Sequence, residues 1–103
     1  MSNITETMNK LKAMGVPAAY SKFKSRQTPP YVVYSGNGQS VFPADNTYTF
    51  RENDYQIEFY FTKKDETLED RIEQLLLEDG FLYSKSEDVF IADEGVFVIY
   101  YQV

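Results

Sequence analysis

The side chains with most chemical capacity in this chain are carboxylates in two groups: Asp65, Glu66, Glu69 and Asp70, then Glu87, Asp88, Asp93 and Glu94. Paired carboxylates hydrolyse glycosides when burial raises one pKa, and clustered ones hold divalent cations. The first group falls where a helix begins, and the helix dipole favours acids there. The second lies in a polar connection that lacks the Asp-x-Asp-x-Asp-Gly spacing of a calcium loop. Both groups read as solvated acids. Histidine and cysteine are absent altogether. Their absence removes Ser-His-Asp and Cys-His nucleophiles, zinc-thiolate sites and disulfides. Gly36-Asn37-Gly38 is not followed by the Lys-Ser or Lys-Thr of a phosphate-binding loop, so it reads as a turn. No catalytic residue, metal ligand or cofactor site is expected.

The elements that would carry any site follow from periodicity. Asn3 followed by Glu6 has the spacing of a capping box, and Ile4, Met8 and Leu11 form one apolar stripe of a first helix. Gly15 and Pro17 stop it. Ala18 to Phe23 reads as a short strand, followed by a basic stretch from Lys22 to Thr28. Pro29 and Pro30 hold the chain extended into Tyr31–Tyr34, a strand starting at or near a sheet edge because proline donates no amide. Ser35 to Gly38 is expected to turn the chain, and the pattern from Val41 to Phe50 sets no strand boundary. Tyr55, Ile57, Phe59 and Phe61 alternate with Gln56, Glu58, Tyr60 and Thr62, which predicts a strand with one buried face. Asp65 is the N-cap of a second helix with the stripe Leu68, Ile72, Leu75 and Leu76, ended by Gly80. Phe81–Ser86 and Val96–Gln102 close the chain as strands. A single α+β domain over residues 1–103 is expected. Its antiparallel, or mixed, sheet carries two helices on one face, in the order α-β-β-β-α-β-β.

Charge is unevenly placed. Residues 1–50 hold five basic and two acidic residues, and residues 51–103 hold five and fourteen, for a net −6 overall. Fourteen acids can simply solvate a small domain, or the two halves can form a bipolar surface whose basic side meets the acidic side of a neighbour. Nine tyrosines and eight phenylalanines are a heavy load for 103 residues. Tyr60 stands on the less buried strand face, where tyrosine suits either a sheet surface or an interface. Val98 and Tyr100 point opposite to Phe97, Ile99 and Tyr101, so the last strand is apolar on both sides and needs a second cover beyond the helices. Glu78 and Asp79 end the second helix, where the dipole disfavours acids. Lys22, Lys24 and Arg26 of a neighbouring copy would offset them. These eight residues, Lys22, Lys24, Arg26, Tyr60, Glu78, Asp79, Val98 and Tyr100, are the expected interface.

Several segments together resemble a known family. Pro29-Pro30-Tyr31-Val32-Val33-Tyr34, Ala44-Asp45-Asn46, Tyr55 through Asp65, Leu68-Glu69-Asp70-Arg71-Ile72-Glu73 and Gly80-Phe81 resemble the small tail terminator and tail completion (head–tail joining) proteins of long-tailed bacteriophages. The resemblance runs from about Val16 onward. It implies a virion protein, assembled in the host cytoplasm, that forms a sixfold ring with itself at the head-proximal end of the tail. The tail tube protein and the head connector would be its partners. DNA would pass through the ring without sequence-specific contact. No apolar run reaches the roughly 20 residues that span a bilayer, so no membrane partner is expected. A reading of another class is a small acidic inhibitor that mimics DNA. The basic stretch from Lys22 to Arg26 and the scatter of the acids argue against it.

Overall fold

A computed structural model describes residues 4–43 and 49–103. The proposed cap at Asn3 and the segment Ala44-Asp45-Asn46 lie outside them. Helix α1 (Ile4–Ala13) buries Ile4, Met8 and Leu11, the stripe expected from their spacing. Helix α2 (Glu66–Glu78) starts at Asp65, whose side chain accepts from the Leu68 amide at 3.0 Å, and buries Ile72 and Leu76. Gly80, at φ 87°, adopts the left-handed conformation that ends it. Both helices pack on one face of a sheet, against Val32, Tyr34, Ile57, Phe59, Phe61, Ile99 and Tyr101. The expected α+β fold with two helices on one face is present.

Six strands make the sheet: β1 (Ala18–Tyr20), β2 (Tyr31–Pro43), β3 (Thr49–Phe61), β4 (Ser84–Lys85), β5 (Val89–Ile91) and β6 (Val96–Gln102). They are ordered β1-β2-β3-β6, and β4 and β5 both pair with β6. All pairings are antiparallel except β1 with β2. A parallel neighbour requires the chain to return to its starting end. Residues 21–30 make that return across the face of the sheet away from the helices, where several of them line a groove with Val33, Glu58 and Tyr60. The first strand is thus shorter than expected. It ends at Tyr20, and Ser21, at a φ of 64°, diverts the chain.

Two further expectations are corrected. Gly36-Asn37-Gly38 is no turn. Strand β2 runs on to Pro43, and the register with β3 shifts between Gly36 and Gln39. An extra residue there makes a bulge, and Gly38 at φ 88° supplies the positive φ that a turn would also have needed. The strand expected at Phe81–Ser86 is shortened to Ser84–Lys85, and the connection after it forms a further short strand, Val89–Ile91, along the same edge of β6. Between them Ser86 keeps the ladder, its amide donating to the Tyr100 carbonyl at 2.9 Å while its hydroxyl accepts from the Tyr100 amide at 2.8 Å.

The strands differ in length, and that sets the shape. Strand β6 pairs with β3 only from Gln56 to Phe61, with Tyr55 and Val103 adding a reciprocal pair of 3.0 Å bonds. Strand β1 covers only Val32 to Tyr34 of β2. Beyond that level β2 and β3 pair only with each other, out to Pro43 opposite Thr49. At about 3.3 Å per residue this two-stranded arm projects roughly 20 Å. The molecule measures 51 × 27 × 27 Å. The main apolar cluster contains no described residue between Ser35 and Asp54. Leu76→Ala, at a fully buried core position, should lower stability by about 2–5 kcal/mol, whereas Phe42→Ser in the arm should change it by less than about 0.5 kcal/mol. Urea denaturation of both variants checks the contrast.

Candidate functional site

Seven of the eight carboxylates in the two groups are exposed, as expected for solvated acids, and Glu69 is the exception that is tied into the fold. Glu69 is 2% exposed, on the side of α2 facing the sheet. Lys64 reaches its Oε1 at 3.0 Å and Oε2 at 2.8 Å, and Lys85 reaches Oε1 at 3.0 Å. The Oε2 contact is ionic and off the hydrogen-bond direction, since that oxygen has no hydrogen-bond partner. Lys85 also pairs with Glu73 at 2.7 Å, and Tyr101 and Tyr83 donate to Glu73 at 2.8 and 3.2 Å. Lys64 continues to Asp88 at 3.1 Å, so one ammonium joins the two acidic groups. Burial pulls the Glu73 carboxyl upward, but the bonds from Lys85 and Tyr101 outweigh it and hold the pKa below the usual value. Among the described residues no group of three or more acids is arranged to hold a metal ion.

Asp79 is likewise satisfied within the chain. Lys10 of α1 pairs with it at 2.6 Å and Thr7 donates to its other oxygen. The Lys10 bond, then the Thr7 bond, lower its pKa. The expectation that Asp79 needs a cation from a neighbouring copy is therefore corrected: α1 supplies one from 69 residues away. Glu78 remains exposed, in contact with Gln74 at 3.4 Å.

On the opposite face of the sheet, the 21–30 crossover leaves a groove of about 460 Å³. Lys22, Phe23, Arg26 and Gln27 line one side, and Tyr31, Glu58, Tyr60 and Glu94 line the rest. Tyr31 and Tyr60 are directly opposite in the β2–β3 register, and their rings stack at 4.9 Å. Phe23 meets Tyr31 edge-on at 5.5 Å. Tyr60 donates to the Glu58 carboxylate; burial, then that bond, push its phenol pKa upward, so the hydroxyl stays protonated at neutral pH. Burial, then the charge of Glu94, also raises Tyr31. The groove thus offers stacked aromatic surface lined by two cations and two carboxylates, a chemistry suited to binding.

Of the expected interface residues, the structure brings Lys22, Arg26 and Tyr60 together in this groove. Lys24 is exposed on the same crossover. Glu78 and Asp79 lie on the helix side, away from them. Val98 is fully buried between Tyr60 of β3 and Val89 of β5 in the register, so it has no surface to offer a partner. Part of the second cover that the last strand requires is the chain's own crossover, which meets Val96 across the groove. Tyr100 is half-buried. Not anticipated were Val41 and Phe42, 58% and 48% exposed in the arm. Their only signal was apolar sequence in a stretch whose strand boundaries were unassigned.

The depressed carboxylates fix the sign of the pH response. Asp79 and Glu73 have folded pKa values below their ordinary 3.8 and 4.5. Their stabilisation is complete above those values and is lost as pH falls through the folded ones. Stability should therefore drop on acidification below about pH 4.5. The loss between pH 6 and pH 3 should be smaller for Asp79→Asn than for the parent. Denaturation midpoints at the two pH values check this.

Compared with known proteins, the sequence matches no family model and no curated protein, so the arm and the groove carry the functional reading.

Proposed function

We propose that this chain is a non-enzymatic structural subunit of phage tail assembly, which closes into a ring with copies of itself and terminates the tail tube or joins the tail to the head. The observation that supports this most is the arm. A two-stranded ribbon is marginal in water, because both edges are bare and it buries little. This one also exposes Val41 and Phe42. Such an element gains stability by docking on another protein. Arm and body are different surfaces of one subunit, which is what a heterologous, ring-closing contact needs. The resemblance to tail terminator and head–tail joining proteins names the assembly.

The DNA-mimic reading loses support from the same geometry. Glu69, Glu73, Asp79 and Asp88 are held in ion pairs within the chain, so they do not form a free row of charges.

Deleting the gene from the phage or prophage that carries it, followed by negative-stain electron microscopy of the lysate, tests the proposal. Unjoined heads with tails of uneven or excessive length are expected for a terminator, and free tails of normal length for a joining protein. Intact, infectious particles lacking the protein would refute both.

A further inference from the structure

The groove and the arm lie at opposite ends of the same two strands. Tyr31 and Tyr60, which line the groove, are one end of the β2–β3 ladder; Phe42 and Val41 are near the other. Eleven residue steps of strand separate Tyr31 from Phe42, about 36 Å at the usual rise. A chain cannot place its own arm in its own groove. Any occupant of that kind comes from another copy.

The two surfaces match in chemistry. Strand alternation, counted through the bulge, sets Phe42, Glu52 and Asp54 on one side of the arm, the side continuous with the groove-bearing face of the sheet. The 2.6 Å bond from Ser40 to Asp54, the side chain diagonally across the ladder, confirms that these residues share a side. Among the residues whose side chains are described, that side presents the Phe42 ring and two acids. The groove presents the stacked Tyr31–Tyr60 pair, with Lys22 and Arg26 beside it and Lys24 on the same crossover; its lining also holds Glu94 and Glu58, the latter engaged by the Tyr60 hydroxyl. Among the described residues none of these three cations forms an ion pair. Acids beside an aromatic anchor face cations beside an aromatic slot.

We infer that the arm of one copy docks in the groove of the next, with Phe42 against Tyr31 and Tyr60 and with Glu52 and Asp54 toward Lys22, Lys24 and Arg26. The inference rests on the assembly reading and deepens it, naming the surface through which copies join. Each copy carries one arm and one groove. The contact is therefore head-to-tail, and repeated it closes a ring or extends a filament.

The absence of cysteine makes the test direct. Full-length Ser40→Cys and Gln27→Cys chains are mixed at about millimolar concentration, where even a weak contact of micromolar to millimolar Kd is populated, and are then oxidised. A mixed disulfide dimer is expected, and a chain carrying both substitutions should give a ladder of multimers. Separately, Lys22→Glu with Arg26→Glu should weaken self-association at least about tenfold in sedimentation, with an unchanged melt. Adding Glu52→Lys and Asp54→Lys to that variant should restore it. Absence of the mixed disulfide, or no change on charge reversal, overturns the inference. So does a reversal variant that still enters phage particles normally, and this last result leaves the assembly reading standing.

Discussion

Strand length is the constraint from which the rest of this structure follows. Strands β2 and β3 each run for 13 residues, while β6 has 7 and β1 has 3. The neighbours can cover only one end of the long pair, and the helices pack where the sheet is widest. That end becomes the folded body, and the other end is left as a ribbon whose hydrogen bonds are satisfied on one edge of each strand only. A ribbon with bare edges and exposed apolar side chains costs solubility and gives little stability to the monomer. Its presence makes physical sense when a partner completes it.

Within the body, the ion pairs do work that the apolar core cannot. The edge beyond β6 is broken into β4 and β5, two and three residues long, too short to hold themselves by ladder bonds. Glu69 and Glu73 reach out from α2 to Lys85 on β4, and Lys64 bridges Glu69 to Asp88 beside β5. Lys85 is consequently held protonated: burial works against its charge, and the two carboxylates outweigh it. A carboxylate as buried as Glu69 would cost several kcal/mol without such partners. The Lys10–Asp79 pair fastens α1 to the end of α2 in the same way. Four acids of a strongly acidic half are thereby turned inward or paired, while Lys22, Lys24 and Arg26 on the crossover form no ion pair among the described residues.

Much of this was legible from local pattern. The alternation from Tyr55 to Phe61 specified the central strand and its buried face, because period 2 is imposed by the pleat itself. The stripes of both helices and the cap at Asp65 were equally local. What escaped depended on partners distant in sequence. Glycine and asparagine at 36–38 permit positive φ, and the same permission serves a turn or a bulge; only the continuing register with β3 decides between them. Glu69 looks like an ordinary first-turn acid until Lys85 is placed beside it. Asp79 looks unpaired until α1 is docked. The groove was half-visible as Lys22, Arg26 and Tyr60, but the parallel return that assembles it is made by a three-residue strand, Ala18-Ala19-Tyr20, with too short a pattern to reveal its direction.

The central claim is that body and arm have separate duties, one folding and one assembling. Gly36 and Tyr55 are cross-strand partners, so a two-residue Asn-Gly turn joining them deletes the arm while leaving the ladder below it intact. The most direct measurement is complementation of the gene deletion by this armless chain, with its melting curve recorded alongside. The account predicts a cooperative melt like that of the full chain together with loss of finished particles. Normal particles assembled with the armless chain, or a chain that fails to fold without its arm, would contradict it.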